Sequence, residues 1–175
     1  MLIQKSISRT PLLGAALFAL LAGCQSLTTH DAAQAALQAK SGSGVTGSVT
    51  FTPSQDGVLV TAHIRGLKPF AQHGFHVHEK GDCSAADAMS AGGHFNPTAV
   101  PHGALEGAHH AGDMPNLRAD ASGVATYRAT LTGVTINGPQ GILGRAVVVH
   151  RDPDDYRSQP AGNSGPRIAC GVVQP

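Results

Sequence analysis

The sequence predicts an all-β domain, a β-sandwich or barrel of about eight short strands. Three observations predict it. Several stretches alternate apolar and polar residues with a period of two, Gly 22 and Pro 11 in 175 residues supply many turns, and no stretch makes a convincing helix. The length suits one domain of ordinary size. At 41% hydrophobic and 13% charged residues, the chain is neither a disordered tail nor a membrane bundle. Its formal charge is +1 and its basic residues are scattered, which argues against a nucleic-acid binder.

Taken in order, residues 1–23 read as an export signal. Lys5 and Arg9 precede an apolar run from Leu12 to Ala22, too short to span a bilayer, and Gly23 and Cys24 follow. Leu21-Ala22-Gly23-Cys24 resembles the end of a bacterial lipoprotein signal, in which the cysteine becomes the lipidated first residue. Residues 24–32 then form a polar tether and residues 33–175 the domain. Removing Lys5 and Arg9 leaves 10 basic and 11 acidic side chains, a formal charge of −1. Two cysteines remain, Cys83 and Cys170. In an exported protein an even pair reads as a disulfide, with two free thiols as the alternative.

Ala33 to Lys40 favours helix by propensity, yet its alternation of Ala33, Ala35, Leu37 and Ala39 with polar partners reads as a strand. Val45 to Thr52 and Val58 to Arg65 alternate cleanly and are joined by a turn through Pro53 to Gly57. Ala125, Tyr127, Ala129 and Leu131 form another stripe. Arg145 to His150 and Ile168 to Val173 are β-branched runs bounded by Gly and Pro. Two connections, Lys80 to His110 and Arg151 to Arg167, are too long for plain hairpins, and long loops in a compact domain are commonly functional.

Those connections and their flanks gather the anomaly of the composition. Ten histidines occur, seven of them between His73 and His110. His76 and His78, two apart on a strand, share one face while Phe75 and Val77 take the other. His94, His102, His109, His110, Asp113 and His150 add imidazoles and a carboxylate near glycines. Imidazoles suit copper, and imidazoles with one carboxylate suit tetrahedral zinc, so the set has donors for two sites.

G-F-H-V-H-E, G-G-H-F-N-P, H-A-G-D, V-V-V-H and G-P-R-I-A-C-G occur in the order found in copper–zinc superoxide dismutases. The resemblance covers about residues 33 to 175 and is strongest to the exported bacterial branch. It implies a Greek-key eight-stranded β-sandwich or barrel with two long functional loops. It implies copper held by His76, His78, His94 and His150, and zinc held by His94, His102, His110 and Asp113, with His94 bridging. His110 is preferred to His109 because the motif is His-x-Gly-Asp. Asp154 matches the family's aspartate that links a copper-ligand and a zinc-ligand histidine. The resemblance also pairs Cys83 with Cys170 and places Arg167 beside copper as the guide for the anion. His63 and His73 read as structural.

The implied activity is dismutation of superoxide to oxygen and hydrogen peroxide by a redox-cycling copper, His94 serving as proton donor. The implied place is the periplasm, lipid-anchored through Cys24; Gln25 after that cysteine favours the outer membrane. The protein would act as a monomer or homodimer. Lys68, Lys80, Arg151 and Arg157 are candidates for steering the anion, and none is assigned. The alternative is a non-enzymatic envelope protein that buffers copper or zinc, which would need the histidines but neither Arg167 nor Asp154.

Overall fold

The computed structural model describes residues 31–175; the segment expected to be an export signal, with Cys24 and His30, lies outside the described residues. Nine strands are described: β1 (Ala33–Ala39), β2 (Thr46–Ser54), β3 (Gly57–Arg65), β4 (Gln72–His73), β5 (Phe75–His78), β6 (Leu117–Arg118), β7 (Ala125–Thr132), β8 (Ala146–His150) and β9 (Arg167–Val172). The only helical element among them is a single 3-10 turn, Met89–Ala91. The all-β prediction therefore stands, and the strand beyond eight is a matter of short pieces, since β4 and β6 are two residues each and pair only with one another.

The other seven strands make one antiparallel sheet in the order β5-β8-β9-β1-β2-β3-β7. Its hinge is β1. Residues Ala33 to Leu37 pair with β2, and Gln38 and Ala39 pair with β9, so one strand belongs to both halves of a curled sheet. Ala33, Ala35 and Leu37 are buried and Gln34, Ala36 and Gln38 exposed, so pairing on both edges overrides the helical propensity of this segment. The approach of β1 to β9 requires a glycine. A Cβ on Gly171 would lie 2.6 Å from the Ala36 carbonyl oxygen.

Curling brings the two ends of the sheet together. Phe75 of β5 and Tyr127 of β7, at opposite ends of the strand order, meet edge to face with ring centroids 5.2 Å apart. Around them Val49, Phe51, Val58, Val60, Ile64, Val77 and Leu117 fill the core. The run Val147-Val148-Val149 does not alternate because β8 is covered on both faces. Val147 and Val149 join the main core, while Ala146 and Val148 pack with Ala88, Ala91 and Cys170 under the β5–β6 loop.

Both connections expected to be long are so. A third long connection, residues 133–145 between β7 and β8, adds to the two that the sequence predicts. Its length follows from topology, because β7 lies at one end of the strand order and β8 one strand from the other. Cys83 and Cys170 form a disulfide with Cα atoms 5.8 Å apart, pinning the β5–β6 loop to β9. Lys40 Nζ donates to the Cys83 carbonyl, and Ser41 N to the Ala86 carbonyl at 2.8 Å, so the β1–β2 turn holds the same loop.

Candidate metal centre

Strand β5 carries His76 and His78 on the face away from the core, and its free edge is where the long loop is stitched down. Val77 N donates to Gly112 O at 2.9 Å, Phe95 N to Val77 O at 2.8 Å, and Gly112 N to Phe95 O at 2.9 Å. These bonds lay His94 opposite His78 and Asp113 opposite His76. Residues from positions 76 to 113 thereby converge on one strand edge. His150 comes from the end of the adjacent β8.

Two donor groups result. His76, His78, His94 and His150 form one; His94, His102, His110 and Asp113 form the other; within each, one ligand atom per residue lies within 4.8 Å of the others. All seven residues are buried. His94 belongs to both.

The hydrogen bonds select which ring nitrogens are free. His76 Nε2 donates to Asp154 Oδ2 at 2.8 Å, which leaves Nδ1 as a buried lone pair without a partner. His78 Nδ1 donates to Gly92 O at 3.0 Å and His150 Nδ1 to Gly165 O at 3.2 Å. Carbonyls only accept, so both Nε2 atoms carry lone pairs, and these face each other at 3.3 Å. Two opposed lone pairs repel unless a cation or proton sits between them. In the second group His102 Nε2 donates to Asp154 Oδ1 at 3.0 Å, and His94 Nδ1 lies 2.7 Å from Asp113 Oδ1. His94 Nε2 and His110 Nδ1 are buried without hydrogen bonds. His102 Nδ1 is 2.9 Å from Asp113 Oδ2, a close charge contact off the hydrogen-bond axis. Orphaned nitrogens aimed at two common points, with a carboxylate at the second, fit copper at the first and zinc at the second.

Electrostatics agree. Burial, then the neighbouring His94, lowers the His76 pKa to about 4, and burial lowers those of His78 and His150 well below the ordinary value. These rings are held neutral, as ligands must be. His102 differs. Burial lowers its pKa, but Asp113 and Asp154 outweigh burial and push it up to about 9. Without metal, a proton on His102 stands where a cation would. Asp113 and Asp154 sit well below the usual carboxylate range, burial being outweighed by hydrogen bonds from the histidines.

Asp154 holds one ring of each group, His76 through Oδ2 and His102 through Oδ1. Its own backbone is gripped by Asn116, with Asp154 N donating to Oδ1 at 2.8 Å and Asn116 Nδ2 to Asp154 O at 3.0 Å. Arg167 opens β9 beside the first group. Its Nη1 donates to Ala88 O at 2.7 Å and its Nη2 to Gly92 O at 2.6 Å, and burial lowers its pKa. Its charge acts on both His78 and His150.

Among the described residues, three further histidines stay outside the groups. His109 Nδ1 faces the His110 carbonyl at 2.8 Å, and His63 is exposed on β3. Buried His73 donates from Nδ1 to the His150 carbonyl at 3.0 Å. Of the steering candidates, Arg151 is paired with Asp152 at 3.0 Å on the surface. Sequence reasoning missed Asn116 and the carbonyls of Ala88, Gly92 and Gly165. Asn116 stands three residues beyond Asp113, but no motif marks it, and a carbonyl has no sequence signal.

Fold and site together define a β-sandwich protein in which one histidine is common to a four-imidazole and a three-imidazole, one-carboxylate cluster. The family model for copper/zinc superoxide dismutase matches residues 45–173, and the chain belongs to that family. Among curated proteins it is similar to Superoxide dismutase (Cu-Zn) 2 of Aquifex aeolicus, 44% identical over 137 residues that cover 74% of this chain and 80% of that one. Among solved structures it resembles a double mutant of a SOD-like protein from Bacillus subtilis, with TM-score 0.73 and 37% identity, covering 81% of this chain and 97% of that one. It also resembles the clock protein EA4, with TM-score 0.74 and 40% identity, covering 84% and 96%. The chain dismutates superoxide, and its cofactors are copper and zinc.

Proposed function

We propose that copper is held by His76, His78, His94 and His150, that zinc is held by His94, His102, His110 and Asp113, and that His94 bridges them. The observation that carries this reading is the membership of His94 in both donor groups, Nδ1 beside Asp113 and Nε2 free. When bound, copper supplies one-electron redox chemistry and zinc a fixed positive charge without redox change.

The chain's own residues do the rest. Arg167, fixed on two carbonyls, attracts the superoxide anion and orients it at the rim of the first group. His94 Nε2, buried and without a hydrogen bond, is the atom that would carry a proton and pass it to the peroxide product. A second proton comes from solvent, so two superoxide anions and two protons become one oxygen and one hydrogen peroxide. Asp154 fixes the tautomers of His76 and His102 so that each presents Nδ1.

The export signal over residues 1–23, lipidation at Cys24, the tether to residue 32 and a periplasmic place at the outer membrane complete the proposal. Their support is the sequence pattern around Leu12 to Gln25, together with a disulfide that suits an oxidising compartment. The test is superoxide decay by pulse radiolysis on residues 25–175 loaded with both metals. Fast decay that disappears on copper removal supports the reading; decay no faster than buffer with both metals bound would favour a metal buffer.

A further inference from the structure

Tyr156, in the β8–β9 loop, belongs to neither donor group. Its backbone is unusual: φ is 57°, the left-handed region that a bulky side chain rarely adopts. Such a conformation persists only where the surroundings hold it. Here they hold it at both ends. Tyr156 N donates to Asp154 Oδ1 at 2.7 Å, and Tyr156 Oη accepts from Asn116 N at 2.7 Å.

These two bonds close a circuit. Asn116 grips the Asp154 backbone through both atoms of its amide, Tyr156 grips Asn116 through the phenol, and the Tyr156 amide returns to the Asp154 carboxylate. The fourth side of the carboxylate is a wall. A Cβ on Gly162 would lie 1.8 Å from Asp154 Oδ1 and 2.8 Å from His102 Nε2. The two oxygens of Asp154 are therefore not equivalent. Oδ2 receives His76 alone, whereas Oδ1 receives both His102 and the Tyr156 amide. The circuit also joins the β5–β6 loop to the β8–β9 loop, because Asn116 directly precedes β6 and Tyr156 lies between β8 and β9.

We propose that Tyr156 is a positioning residue for the zinc side of the centre: it clamps Asp154 Oδ1 and Asn116 so that His102 and Asp113 are presented together. The proposal rests on the assignment of zinc to His102 and Asp113. Copper, held mainly from β5 and β8, meets this clamp through His76 and, by way of Asp113, through the shared His94.

Tyr156→Phe removes the acceptor of the Asn116 amide and keeps the ring. The control is Tyr127→Phe, which removes a buried phenol oxygen that has no hydrogen-bond partner. Zinc and copper affinities are measured separately by competition with a chromophoric chelator, and the zinc side is also read by the visible spectrum of cobalt(II) placed there. Tyr156→Phe is expected to weaken zinc about tenfold, a typical loss for an outer partner of a metal ligand, and to alter the cobalt bands. Copper affinity should change no more than about twofold, far less than such a loss, and Tyr127→Phe should match the unaltered protein. Equal weakening of both metals, or of neither, would overturn the proposal. An unaltered protein that takes up no zinc or cobalt would overturn the zinc assignment itself. Amide hydrogen exchange in the unaltered protein gives a second test that needs no variant. Zinc loading should slow exchange at Asn116 and Tyr156, and exchange indifferent to zinc would count against the clamp.

Discussion

Arg167 and His78 meet on one atom: the carbonyl oxygen of Gly92 accepts from Arg167 Nη2 at 2.6 Å and from His78 Nδ1 at 3.0 Å. The guanidinium proposed to attract the anion and a ring that points its free nitrogen at the first donor group are thus fixed to a common reference. A displacement of the Gly92 carbonyl would disturb both hydrogen bonds.

Replacing Arg167 with alanine should leave both metals bound, since the guanidinium is in neither donor group. The rate with superoxide should fall by about tenfold or more, the scale on which local positive charge raises anion encounter. Metal analysis beside pulse radiolysis checks this. An unchanged rate removes the guide role.

His94→Ala should disturb both metals at once, because among the described residues no other stands in both groups. Elemental analysis of the purified variant reads this directly. Loss of one metal with full retention of the other would remove the bridge.

Replacing Cys83 and Cys170 together by serine releases a ring of sequence separation 87. The expected loss of folding stability is on the order of 4 kcal/mol, from chain entropy alone. Denaturant unfolding measures it. Activity should fall as well, because the loop freed at Cys83 supplies the Ala88 and Gly92 carbonyls that hold Arg167.

The metal-free protein should be most stable near neutral pH. His76, with its pKa lowered to about 4, keeps fewer protons folded than unfolded, so stability is lost as pH falls from 6.5 toward 4. His78 and His150 add to that loss. His102, raised to about 9, acts oppositely: its contribution is full below 6.5 and is lost as pH rises through 9. Urea midpoints across this range test the shape. A curve that keeps rising toward pH 9 contradicts it.

Cys24→Ser should move the protein from the membrane fraction to the soluble one with its specific activity unchanged. Cell fractionation checks it, and continued retention would rule out lipid at this position as the anchor.

Strands with one wet face were legible in the sequence, because alternation in Val45 to Thr52 or Ala125 to Leu131 records the two sides directly. β1 was legible once its period was weighed above its alanine content. The seven donors were visible as residue types near glycines, and their division into two sets came from motif order. What could not be seen was main-chain work. The Gly92 oxygen, the stitching of β5 by Phe95 and Gly112, and the Asn116 grip on Asp154 depend on where distant segments meet. The turn at Tyr156, left-handed without glycine, carried no sequence sign.

The two ends of the domain pair with each other. Gln34 N donates to Gln174 O at 2.7 Å and Gln174 N to Gln34 O at 2.8 Å, while Arg167 lies at the opposite end of β9, beside Ser41 at the far end of β1. Anything grafted to either end, whether an affinity handle, a fused partner or a solid support, therefore extends from the pole remote from Arg167. The domain can be immobilised by its ends with the face that carries Arg167 turned outward.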